Sequence, residues 1–159
     1  METLTLEHLS AYLPYGLMAV DEYGQARIID YECQSYTKTI VGLNHVLKSQ
    51  TVQVNCFKPI LYPLSSLTET IWYEGKEINP IEFIKDWYNS QPDSYVSELK
   101  YVYWENNFTL FGLELDDSYE VAMPYDAYQL LFKMKIDIFG LIEKGLAVDV
   151  NNLETNPYK

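Results

Sequence analysis

Strand-like and helix-like segments are grouped in this sequence and do not alternate as β-α-β. Grouping of this kind favours an α+β fold over a doubly wound sheet, because parallel strands need a crossover helix between them. The first half is mostly strand-like. A short helix is expected at 5–13, with Leu6, Leu9 and Leu13 on one side and Pro14 closing it. Leu17-Met18-Ala19-Val20 and the run 26–31 then flank a turn-like Asp21-Glu22-Tyr23-Gly24-Gln25, which predicts a hairpin. Strands are expected near 39–43 and 51–57. In the second, Val52 and Val54 alternate with Gln53 and Asn55, the mark of one wet and one dry face. Lys58-Pro59-Ile60-Leu61-Tyr62-Pro63 reads as extended, since each proline fixes its own φ and restricts the residue before it.

The second half carries the stronger helix signals. Ser66-Leu67-Thr68-Glu69 has the spacing of a capping box opening a short helix, and 73–77 reads as a turn. Asn79-Pro80-Ile81-Glu82 combines a capping Asn, Pro at the first helical position and Glu at the third. That helix should end near Asn89 and turn Ile81, Ile84 and Tyr88 inward. Residues 90–94 are the most linker-like stretch, but a boundary there leaves two pieces too small to prefer independence. The expectation is one domain over residues 1–159. Strands are expected at 101–104 and 108–115 around Glu105-Asn106-Asn107, with a third at 119–123. Pro124 opens a helix to about residue 135 with Leu130, Leu131 and Met134 at core spacing, and Leu141-Ile142-Glu143-Lys144-Gly145 reads as a last helical turn stopped by glycine. The whole is read as a single compact α+β domain, mainly antiparallel sheet with a few short helices segregated to one side.

Charge narrows the function. The 159 residues carry 23 acids against 11 bases, a net charge of −12, and Arg27 is the only arginine. Arginine's planar fork suits phosphate, and nucleic-acid affinity rests on many basic contacts that release counterions. Direct binding to nucleic acid or to an anionic membrane surface is therefore not expected. Nine of the acids fall between Asp86 and Asp126, where Lys100 is the only base. A field of that sign repels polyanions and attracts a basic partner. No apolar run is long enough for a membrane span, and the acids near Met1 do not suit a secretory leader; a soluble, cytoplasmic protein is expected. Cys33 and Cys56 stand apart without CxxC spacing and read as buried thiols of a reducing compartment.

Three stretches carry a family resemblance. The first is Leu4-Thr5-Leu6-Glu7-His8-Leu9 followed by Tyr12-Leu13-Pro14-Tyr15-Gly16-Leu17. The second is Lys58-Pro59-Ile60-Leu61 with Pro63-Leu64-Ser65-Ser66-Leu67, and the third runs from Asp137-Ile138-Phe139-Gly140 through Leu146-Ala147, with Asp149 and Asn151. Together they resemble a set of short, uncharacterised proteins of Bacteroides-type bacteria, often associated with prophage or other mobile elements. The resemblance covers under a third of the chain. It implies no activity, and no catalytic residue carries over from it. Each stretch also has a plain structural reading, in which its Pro and Gly residues shape turns.

The remaining constellations point away from a visible active site. Pro92-Asp93 with Glu98-Leu99-Lys100 matches the letters of a PD…ExK nuclease motif, but four residues between Asp93 and Glu98 cannot build the hairpin that motif needs. Glu114, Asp116, Asp117 and Glu120 are oxygen ligands without the order of a calcium loop and read as an outward face running into a polar turn. Glu82 and Asp86, at i and i+4, fall on the solvent side of their helix. His8 and His45 have no partner at ligand spacing, and no phosphate-cradling loop or nucleophile elbow is present. Tyr101 and Tyr103 share one strand face and Val102 and Trp104 the other; the run is read as core, since 24 aromatics must mostly be buried. No catalytic, metal or cofactor residue is assigned. The leading expectation is a non-enzymatic intracellular accessory protein that binds another protein, or itself, through an acidic and aromatic surface. Its candidate residues are Tyr101, Tyr103, Glu105, Glu114, Asp116, Asp117 and Glu120. The alternatives are a DNA-mimic inhibitor of a nucleic-acid enzyme, and a small enzyme whose site is not visible in the sequence.

Overall fold

In a computed structural model the chain is α+β, as its segment grouping predicts. The structure describes residues 3–21, 26–35, 38–45, 48–53, 57–105, 107–114 and 119–159, with backbone pairing alone for the strands within 21–53. Two compact units divide it. One comprises Met1–Pro63 and Gly140–Pro157, the other Leu64–Phe139 and Tyr158–Lys159. The second is thus inserted into the first, and the divisions fall at Pro63 and Gly140, away from the linker-like 90–94 stretch.

The first unit opens with α1 (Leu6–Ser10), shorter than the helix expected over 5–13. Thr5 caps it in a reciprocal box in which His8 stands where Glu or Gln is usual: the Thr5 N–H donates to His8 Nδ1 at 3.2 Å and the His8 N–H to Thr5 Oγ1 at 3.5 Å. That gives His8 a structural task. Pro14 does not close the helix but sits inside a separate 3₁₀ turn, Leu13–Tyr15, where its missing N–H costs nothing. Strands β1 (Met18–Asp21), β2 (Ala26–Ser35), β3 (Lys38–His45) and β4 (Lys48–Gln53) then run as an antiparallel meander. A register irregularity lies between Ile29 and Tyr31 in β2. β5 (Phe57–Leu61) returns beside β1, antiparallel, with Ala19 opposite Pro59.

The segment 141–145 forms the expected turn. Gly145 takes φ 70°, and the Leu146 N–H reaches the Leu141 carbonyl at 2.8 Å. Beyond it β11 (Val148–Asp149) pairs parallel with β5, giving the order β11-β5-β1-β2-β3-β4. Asn156 Nδ2 also donates to the Tyr62 hydroxyl at 2.7 Å. Leu9, Tyr12, Leu17, Ile60, Leu61 and Leu141 are buried.

The second unit starts with a 3₁₀ turn, Leu64–Leu67. The helix expected to begin at Ser66 is absent. Ser66 lies buried within the turn, and the Thr68 N–H and hydroxyl both fold back on the Ser65 carbonyl, at 3.3 Å each. β6 (Ile71–Tyr73) and β7 (Lys76–Ile78) form a hairpin whose two turn residues, Glu74 and Gly75, take φ 48° and 79°. Two positive φ values in a two-residue loop match the twist of the flanking strands. α2 (Pro80–Asn89) begins and ends where its sequence signals place it. β8 (Glu98–Trp104), β9 (Asn107–Leu113) and β10 (Glu120–Ala122) form an antiparallel sheet in the order β10-β9-β8.

α3 (Tyr125–Lys133) packs on one face of that sheet. Phe108 meets Tyr128 edge to face at 6.1 Å and Tyr101 stacks on Phe108 at 5.9 Å. The Leu110 N–H donates to the Tyr128 hydroxyl at 3.1 Å, just where β10 runs out. The helix ends in a Schellman arrangement: the Lys135 N–H reaches the Phe132 carbonyl and the Ile136 N–H the Leu131 carbonyl, both at 3.0 Å. Lys135 itself occupies the left-handed position, φ 59°, usually left to glycine. Its ammonium folds back on the Lys133 carbonyl at 2.7 Å and lies over the Tyr158 ring, and burial lowers its pKa from the ordinary lysine value. No helix among the described residues is long and apolar enough to cross a membrane.

Candidate functional site

The site is built around β8. The alternation of the ladder follows from the bonds to β10: the Met123 N–H reaches the Leu110 carbonyl and the Glu114 N–H the Tyr119 carbonyl. Even-numbered residues of β9 therefore turn their backbone groups toward β10, and odd-numbered ones toward β8. Since Phe111 pairs with Lys100 and Thr109 with Val102, the even residues of β8 bond to β9. Leu99, Tyr101 and Tyr103 then direct their backbone N–H and C=O away from the sheet, on its edge.

The two faces of β8 differ. Leu99, Tyr101 and Tyr103 turn their side chains to the α3 side, where Leu99 is buried and the tyrosines half-buried. Val102 and Trp104 turn outward, 50% and 71% exposed, beside exposed Thr109 and Ala122 and half-buried Phe111. The aromatic run is thus split: its tyrosines are half-buried on the α3 side, and Trp104 is exposed on the other.

A groove of about 530 Å³ lies along this strand, lined by residues 98–102 of β8, Phe111, Thr68, and Asn79, Ile81 and Glu82 at the start of α2. Asn79 holds its far wall together. Its Oδ1 accepts the Glu82 N–H at 3.2 Å while its Nδ2 donates to the Thr68 carbonyl at 3.0 Å. At the other end of α2, Asn89 accepts the Val96 N–H at 2.8 Å and donates to the Val96 carbonyl at 3.0 Å, so the helix is pinned to the lead-in of β8.

The groove's charges are engaged with one another. Glu98 pairs with Lys100 at 3.2 Å, both exposed on the outer face, and Glu82 pairs with Lys85 one turn along α2. The hydrogen bond that Lys85 donates to Glu82, first, and then the charges of Glu82, Asp86 and Glu98 raise the Lys85 pKa, against an intermediate cost of desolvation. The wall therefore offers carboxylates and amides around an apolar strip of Ile81, Val102 and Phe111. These are ion-pairing and hydrogen-bonding groups.

The residues singled out from sequence are dispersed. Glu105 occupies the β8–β9 turn with φ 48°, at the opposite end of the sheet from Glu114 and Glu120. Glu120 pairs with Leu113 and shares the outer face, whereas Glu114 falls on the parity of Leu110 and Gly112. Those three acids are exposed, as are Asp86, Asp93, Glu98 and Asp126. Asp116 and Asp117 lie outside the described residues, as does Cys56; for Cys33 and His45 only the backbone is described. Among the described residues no group of three or more His, Cys, Asp or Glu is placed to hold a metal ion. Asn79 and Glu82 were legible only as a helix start, and nothing local marks Thr68. The one signal for the open face was the alternation of Val102 and Trp104 with Tyr101 and Tyr103. Compared with models of known families, with curated proteins and with solved structures, the chain matches none.

Proposed function

We propose that this chain is a non-enzymatic accessory protein, acting inside the cell, that binds another protein through the outer face of the β8–β10 sheet. One observation carries the reading: Trp104 and Val102 stand exposed side by side on the same face of a sheet whose other face is packed. Tryptophan supplies a large contact area with few torsions to freeze and is enriched where interfaces concentrate their energy. The acidic surroundings add the second component. The Leu64–Phe139 unit with its two C-terminal residues holds fourteen acids against six lysines. Such a field speeds encounter with a basic partner and disfavours acidic ones. The resemblance to proteins associated with mobile elements fits an accessory role of this kind.

The test is affinity capture from the native cell with the natural chain and with Trp104→Ala, each at low and high salt. A partner held by the natural chain and lost with Trp104→Ala is the expected result. Identical partners on both chains sink the reading. A partner that Trp104→Ala keeps and that salt alone removes points instead to binding by carboxylates, as a DNA mimic requires.

A further inference from the structure

We infer, resting on that reading, that the partner contributes an extended basic segment that adds to the sheet as a fourth strand beside β8. The groove's lining is the first argument. A groove over one face of a strand meets every second residue, but this one meets five in a row, residues 98–102. It therefore runs along the edge, where side chains of both faces and the backbone between them are reached. That edge is the side to which Tyr101 directs its N–H and C=O, and no strand lies beyond it among the described residues. Within the groove the N–H and C=O of Leu99 and Tyr101 are directed off this edge, and backbone groups so placed are a template for another strand.

Charge selects the occupant. Glu82 and Glu98 line the groove, and the cations near it, Lys85 and Lys100, are already held by those two acids. Those two acids are engaged in the same pairs, so what draws an incoming lysine or arginine is the field of a unit with a net charge of −8. A second copy of this chain is the poorer fit. Each copy carries −12, and an antiparallel twofold pairing centred on Tyr101, the middle of β8, sets Lys100 against Val102 and Glu98 against Trp104, so no opposite charges meet. Charged residues on an edge strand hinder such self-pairing. Apolar side chains of the added strand, on the outer side, fall beside Val102.

The test uses the full chain and peptides of random sequence, twelve residues long, displayed on phage and selected on the immobilised protein at low salt. Expected winners carry Lys or Arg among β-branched residues and lack a central proline. A synthetic winner is then methylated on alternate backbone amides, in one phase or the other. Strand addition predicts that one phase weakens binding by about tenfold or more and the other leaves it nearly unchanged. It also predicts that bound peptide slows hydrogen exchange at the Tyr101 amide by about tenfold or more. Acidic or proline-rich winners, no winners, equal effects of the two phases, or an unchanged Tyr101 amide each overturn the inference. So does a Tyr101 amide protected by dimerisation of the chain without peptide. Loss of the cellular partner with Trp104→Ala, alongside an unchanged Tyr101 amide, leaves the outer-face reading standing and removes strand addition alone.

Discussion

The two faces of the β8–β10 sheet come from alternate residues of the same three strands, and they have opposite fates. On one, Leu99, Leu110 and Gly112 lie buried and Phe108 meets a ring from α3. On the other, Val102 and Trp104 stand in the open. The residue types do not explain the difference, since Trp104 is more apolar than Tyr101. The covering elements do. A strand's period of two decides which side chains share a face, and the helices that follow decide which face is dry. The lesson is that an aromatic at strand spacing is committed to a side, not to a core.

Four substitutions sharpen or break that contrast. Leu110→Ala removes a fully packed side chain from the covered face and should cost about 2–5 kcal/mol in urea unfolding. Gly112→Ala comes next, at about 1–3 kcal/mol, because a Cβ there lies 2.3 Å from Val96 Cγ1. In a Val96→Ala background the same change should cost clearly less, since the obstructing methyl is gone; equal costs in both backgrounds refute the contact. Tyr128→Phe should cost about 1–2 kcal/mol by leaving the Leu110 N–H without its phenol. Trp104→Ala, on the open face, should change stability by less than about 0.5 kcal/mol while abolishing partner capture. A loss of several kcal/mol there means that Trp104 is held by the fold, and the division between the faces fails.

Local chemistry made part of this architecture readable. Asn79-Pro80-Ile81-Glu82 announces α2 because capping, fixed φ and the helix dipole all act within one turn. The β8–β9 pair is likewise written in its own residues. Ser66-Leu67-Thr68-Glu69 shows how such a signal is overridden: burial of Ser66 and the return of Thr68 to the Ser65 carbonyl settle a 3₁₀ turn instead. The parallel pairing of Val148 with Ile60 has no local mark, because two residues carry no periodicity. The groove was unreadable for a related reason. Thr68, Asn79 and Glu98 are brought together by tertiary packing, and each alone looks like an ordinary polar residue of a turn, a cap or a strand. The acids between Asp86 and Asp126 are close in sequence, yet Glu105 and Glu114 end at opposite tips of one hairpin.

The gap at Gly112 bears on how this sheet keeps its alignment. Sliding β9 by two residues returns every side chain to its own face and every amide to its own side, so neither hydrophobic alternation nor the ladder opposes that error. Gly112 does, because the slide replaces it beneath Val96 with a residue that has a side chain. A single missing side chain on one strand thus makes the correct alignment distinguishable from its nearest counterfeit.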